Sequence, residues 1–167
     1  LFVRKTDRQR SFVVDASPDD IADAFELRAM LESHAARRAA TRIDPVALAS
    51  LRAHNAAIQR SVEQDRPDIP AFLDHNRQFH AIIIRAAASE RLASMLAQIV
   101  EQPVVLRTAL HYDRESLRRA YREHDELLSA FARQDGDWAA GVMTAHIHRA
   151  FHAYRDARAS TPVDIAA

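Results

Sequence analysis

Three histidines, His80, His124 and His146, each fall in the middle of the apolar stripe of a different helical segment. Around His80 the stripe reads Phe72, Asn76, Phe79, His80, Ile83, Ala87; around His124 it reads Leu117, Tyr121, His124, Leu128, Phe131; around His146 it reads Ala139, Val142, Met143, His146, Ala150. Steps of three and four place each set on one helix face. An imidazole buried on such a face must have both nitrogens satisfied, by hydrogen bonds or by a metal. A single buried histidine is commonly an ordinary hydrogen-bonded core residue. Three on the core faces of one small bundle favour a shared site. Imidazole is the commonest metal-ligating side chain, and three such ligands leave coordination positions for water or a small molecule. Zinc is the first expectation, with nickel, iron or manganese as alternatives.

The other histidines carry less. His148 and His152 are one turn apart, but they share a face with Gly141 and Ala145 beside Arg149 and Arg155, which suggests partial exposure. His34, His54, His75 and His111 lie among charged or loop-proximal neighbours and are assigned no chemistry. A carboxylate-bridged di-iron bundle would need a Glu-x-x-His step on each of two helices. No glutamate in the chain has a histidine three residues on. Arg28 shares the first helix's expected inner stripe with Ile21, Ala24, Leu31 and Ala35, where a guanidinium needs an anionic partner. That partner is either a glutamate on another helix or a bound carboxylate.

Composition narrows the function further. The 167-residue chain is about one domain in length, with a formal net charge of zero, no cysteine and two glycines. Disulfides, thiolate catalysis and Gly-rich phosphate loops are thereby excluded. Without a basic excess the chain lacks the footprint of a stand-alone nucleic-acid binder. No apolar run approaches the roughly 18 residues of a membrane span, and no secretory signal is visible, so a cytoplasmic location is the default.

The elements that must position the histidines announce themselves by their caps. Ser17-Pro18-Asp19-Asp20 gives an N-cap, a proline at the first helical position and early acids, and predicts a helix to about Arg42. Asp44-Pro45 starts a second, to about Asp65. Pro67 and Pro70 bracket the start of a third, from about Ile69 to Ala88. Ser89 caps a fourth that Pro103 should kink or split. Asp113 starts a fifth, ending near Asp135-Gly136, and Asp137 a sixth, reaching about Arg158. Short connections predict that successive helices are antiparallel neighbours. The fold class is all-α, an antiparallel bundle of six to seven helices. Before it, Phe2-Val3 and Ser11-Phe12-Val13-Val14 flank the polar run 4–10, which reads either as a hairpin or as a frayed arm.

Several segments together resemble the C-terminal effector-binding (FCD) domain of GntR-type bacterial transcription regulators, in the FadR-like branch. They are Glu26-Leu27-Arg28-Ala29-Met30-Leu31-Glu32, followed by the Ala-rich run 35–40; Asn76-Arg77-Gln78-Phe79-His80; Glu123-His124; and Asp135-Gly136-Asp137 with Met143-Thr144-Ala145-His146. The resemblance covers roughly residues 17–155. It implies a homodimer that senses a small carboxylate effector and controls operator DNA through an N-terminal winged helix-turn-helix. Residues 1–16 then resemble the end of its wing and a linker, residues 17–160 the effector domain, and residues 161–167 a tail. The resemblance also implies an internal divalent-metal site at Asn76, His80, His124 and His146. Metal-binding members often carry Asp where this chain has Asn76. The neutral amide leaves the site one positive charge higher and leans more on an anionic ligand. By the same resemblance Arg28 is the first candidate to grip an effector carboxylate, with Arg107 and Tyr121 behind it. No enzymatic activity is expected. The competing expectations are a three-histidine metalloenzyme, which would need a base such as Glu32 or Glu123 beside the metal, and a metal-free helical dimerisation module.

Overall fold

Aspartates and serines at the caps set the helix boundaries, as a computed structural model of the chain shows for residues 2–5, 11–14, 17–99 and 112–160. Ser17 accepts from the Asp20 backbone N–H while the Asp20 carboxylate accepts from the Ser17 N–H, a capping box that opens α1 (Pro18–Ala40). Asp44 caps α2 (Pro45–Val62) by accepting from Ala47 N–H at 2.7 Å, and Asp68 caps α3 (Ile69–Ala86) by accepting from Ala71 N–H at 3.0 Å. Ser89 precedes α4 (Glu90–Ile99). Asp113 caps α5 (Arg114–Ala132), and Asp135 accepts from Trp138 N–H at the start of α6 (Gly136–Ser160). Phe2–Lys5 (β1) and Ser11–Val14 (β2) pair antiparallel, with Phe2 opposite Val14 and Lys5 opposite Ser11. The expected break at Pro103, Arg107 and the tail 161–167 lie outside the described residues.

α2 lies along α3, and α5 along α6, as short connections require, and α2 also packs against the non-consecutive α5. α1 departs from that rule: it packs against α6, the most distant helix in sequence, and against α3. Its buried alanines, Ala35, Ala36, Ala39 and Ala40, let a neighbour approach closely. Where the start of α6 meets the end of α1, a Cβ on Gly136 would lie 2.8 Å from the Arg37 carbonyl oxygen, so only glycine fits. The buried face of α1 runs through Phe25, Ala29, Glu32 and Ala36. It is turned about one position from the stripe the sequence suggests, and it takes Glu32 into the core.

One core fills the space between α1, α3, α5 and α6, with Phe25, Phe79, Phe131, Leu127 and Met143 essentially inaccessible. A second, smaller cluster joins Ile58 and Val62 of α2, Phe72 of α3, and Leu117 and Tyr121 of α5. Arg114 donates to the carbonyls of Val62, Gln64 and Asp65 and Arg118 pairs with Glu63, tying the end of α2 to the start of α5. The three histidines lie where α3, α5 and α6 face one another. Among the described residues, no helix is long and apolar enough to cross a membrane.

Candidate metal centre and ligand cavity

His80 on α3, His124 on α5 and His146 on α6 converge, with ring centroids 4.9 to 5.5 Å apart. One nitrogen from each lies within 4.8 Å of the others, and all three side chains are buried. His124 is fixed furthest inside, stacked on Phe79 with a centroid separation of 4.0 Å and an interplanar angle of 9°.

Each Nδ1 is already committed. His80 Nδ1 lies 2.5 Å from Glu32 Oε2, and His146 Nδ1 lies 2.7 Å from Glu123 Oε2. His124 Nδ1 faces Asn55 Oδ1 at 3.2 Å. The Asn55 amide is oriented by its donor end, since Nδ2 donates to the Tyr121 carbonyl at 3.0 Å and to Asp125 Oδ1 at 2.7 Å. Its oxygen therefore has to accept, and His124 has to donate. All three rings thus carry the proton on Nδ1 and the lone pair on Nε2, the tautomer a metal ligand needs. Nε2 of His80 and of His124 are buried without a hydrogen-bond partner. Each orphaned acceptor costs about 1–3 kcal/mol unless something binds it.

Electrostatics favour the neutral form of His124 and His146 and the charged form of the two acids. Burial drives the His124 pKa well below its usual value, and the neighbouring His146 and His80 push the same way. Burial also lowers the His146 pKa, and the Glu123 hydrogen bond only partly opposes it. For Glu32, burial alone would raise the pKa. The Arg28 guanidinium and His80 outweigh it and hold the carboxyl well below the usual carboxylate range. Glu123 behaves likewise, with burial opposed by His146 and Arg149. Imidazoles backed by two carboxylates and an amide oxygen are a donor set suited to a borderline divalent cation such as zinc.

A cavity of about 240 Å³ adjoins the histidines and is lined by Phe25, Arg28, Asn76, His80, Arg119 and His146, among others. It is smaller than the roughly 300–1,000 Å³ of a drug-sized site and suits a small metabolite. Asn76 lines it one turn before His80 and is half-buried. Arg28 also lines it, and its Nε donates to Glu32 Oε1 at 2.9 Å, so its glutamate partner stands on its own helix. Tyr121 lies in the second cluster and its hydroxyl donates to Glu63 at 2.9 Å. His148 is exposed; His152 is exposed and borders the cavity. Asn55 escaped the sequence reading altogether. Its signal was the one that exposed the histidines: a polar residue in mid-stripe, between Leu51 and Ile58.

Residues 23–149 match the FCD domain family. The chain belongs to that family. The Nta operon transcriptional regulator of Aminobacter aminovorans is 28% identical over 153 residues, covering 90% of this chain and 69% of the relative. Among solved structures, E. coli McbR/YncC superposes with a TM-score of 0.80 at 18% identity, covering 92% of this chain and 77% of the other. Streptococcus agalactiae GntR superposes with a TM-score of 0.63 at 17% identity, covering 90% and 74%. At these identities the two structures establish the fold. The resemblance read from the Glu26–Glu32, Asn76–His80 and Glu123-His124 segments is thereby borne out, and the chain is an FCD domain of the kind carried by GntR-type transcription regulators.

Proposed function

We propose that this FCD domain senses a small organic acid at an internal divalent-metal site and so controls DNA binding by a GntR-type regulator. The observation that carries this reading is the set of three Nε2 lone pairs, two of them orphaned, held by Nδ1–H donation to Glu32, Asn55 and Glu123. His80, His124 and His146 would hold the metal, with the Asn76 carbonyl oxygen as a fourth, neutral donor. Bound there, the metal supplies a Lewis-acidic positive charge for an effector carboxylate. Arg28 contributes a guanidinium to the same cavity, already fixed by Glu32 and by its position over the Phe25 ring, 5.2 Å from the centroid. Phe25, Phe72 and Ile147 exclude water from the remaining wall.

The same geometry favours a sensor over a catalyst. A hydrolytic centre needs a base free to take a proton from water. Glu32 and Glu123 each hold both an imidazole and a guanidinium, and both are kept ionised. The regulator is a homodimer in this reading, and residues 1–16 end the wing of its winged helix-turn-helix. Arg107 is the second candidate anchor by resemblance, whereas the Tyr121 hydroxyl is given to Glu63 and Tyr121 does not line the cavity. The effector shifts DNA binding only by its difference in affinity for the two domain arrangements.

Protein purified without a polyhistidine tag should carry one metal per chain and melt at a lower temperature after chelation. It should return small acids unchanged and hydrolyse no simple ester. No metal, together with unchanged melting after chelation, overturns the reading.

A further inference from the structure

Two relays of the same composition border the cavity. On one, Glu32 uses Oε2 for His80 and Oε1 for Arg28. On the other, Glu123 uses Oε2 for His146 and Oε1 for Arg149. Each is an arginine–carboxylate–imidazole chain, and both arginines line the cavity. They differ in freedom: the Arg28 side chain is 11% exposed, whereas that of Arg149 is 42% exposed. The second guanidinium can turn toward a ligand while its glutamate stays held by His146.

The charge of the cavity is also informative. Of its charged groups, Arg28 is paired with Glu32, Arg149 with Glu123 and Asp156 with Arg155, and Arg119 adds a further guanidinium. The three metal-site imidazoles and Asn76 add no charge if the rings are neutral. The protein walls with their paired groups therefore carry one net positive charge, and a divalent cation would leave three uncompensated positive charges beside Phe25, Phe72, Leu73 and Ile147. Charge in such surroundings is costly unless it is paired. A monocarboxylate would neutralise one of the three and a dicarboxylate two.

We infer that the effector is a small dicarboxylate whose two ends are gripped by Arg28 and Arg149, with Arg149 as the specificity-determining residue for the second carboxylate. This inference rests on the metal-site reading above. A charge-assisted hydrogen bond contributes about 1.5–3 kcal/mol, enough for roughly tenfold or greater discrimination. The closing test is calorimetric titration of the zinc-loaded domain with matched pairs of acids: malonate and propionate, succinate and butyrate, glutarate and valerate. At least one dicarboxylate should bind about tenfold or more tightly than its monocarboxylate partner. Arg149→Gln should erase that preference while leaving monocarboxylate affinity and zinc stoichiometry unchanged, and Arg149→Lys should keep part of it. Zinc uptake with no preference in any pair, or a preference that survives in Arg149→Gln, overturns the inference and leaves the metal reading standing. Absence of zinc uptake by the parent protein overturns both.

Discussion

His54 on α2 and His75 on α3 bring their Nδ1 atoms to 3.1 Å, and the central trio brings one nitrogen of each ring within 4.8 Å of the others. Each ring of this pair uses the other: one Nδ1 donates and the other accepts, so the contact is satisfied without a third party. Both side chains are half-buried. In the trio every Nδ1 instead donates outward, to Glu32, Asn55 or Glu123, and the unprotonated nitrogens are left facing one another in the core. Proximity of imidazoles therefore does not by itself define a metal site. What defines it is the acceptor behind each ring, which decides where the lone pair points.

The largest effect should come from removing the deepest ring of the trio. His124→Ala is expected to take metal content from one per chain to none and to abolish the rise in melting temperature on metal addition. That rise corresponds to about 2.7 kcal/mol at a metal concentration a hundredfold above Kd. The chelated form should also lose about 2–4 kcal/mol, because the stack on Phe79 is emptied and Asn55 Oδ1 is left without its donor. Elemental analysis with paired thermal melts reads both.

Next in size is the acceptor behind that ring. Asn55→Ala keeps all three imidazoles but frees His124 to change tautomer. Loss of such an outer partner is expected to weaken metal binding about 10- to 100-fold, measured by competition with a chromophoric chelator. Unchanged affinity would show that the tautomer is fixed by something other than Asn55.

The pH dependence should report on the trio, with His54 of the pair, lowered in the same direction by burial and by His75, adding to it. His124 and His146 have folded pKa values lowered from 6.5, chiefly by burial. Below about pH 6.5 the unfolded chain binds protons that the folded chain refuses, so stability present above that pH is lost as pH falls. Each such ring contributes up to about 1.4 kcal/mol per pH unit to the chelated protein. Denaturant midpoints from pH 7.5 to 5.5 should therefore fall steeply, and the slope should shrink in His124→Ala.

The smallest effect is expected at the pair. His75→Ala should cost about 1 kcal/mol or less, the worth of one hydrogen bond, and leave metal stoichiometry unchanged. Reduced metal content in this variant would contradict the distinction between the two groups.

Much of this arrangement could be read from local pattern. Asp44-Pro45 and Asp113 mark their helix starts because a side-chain oxygen two or three residues ahead of free N–H groups is a short-range signal. His80, His124 and His146 stood out because a polar residue among apolar ones at helical spacing is also local. Their partners were not legible in the same way. Glu32 lies 48 residues from His80 and Asn55 lies 69 from His124, and no spacing rule spans such intervals. Glu32 and Glu123 were weighed only as bases, since a sequence does not show that each is already shared between an imidazole and an arginine. The packing of α1 on α6 was hidden for a similar reason, resting on a close approach at Gly136 that joins the two ends of the domain.

The central claim is that the acceptors behind the trio make it, and not the nearby pair, the metal site. Anomalous diffraction at the zinc edge from crystals of untagged, zinc-loaded protein tests it most directly. A single peak is expected among Nε2 of His80, His124 and His146. A peak between His54 and His75, or none at the trio, would contradict it.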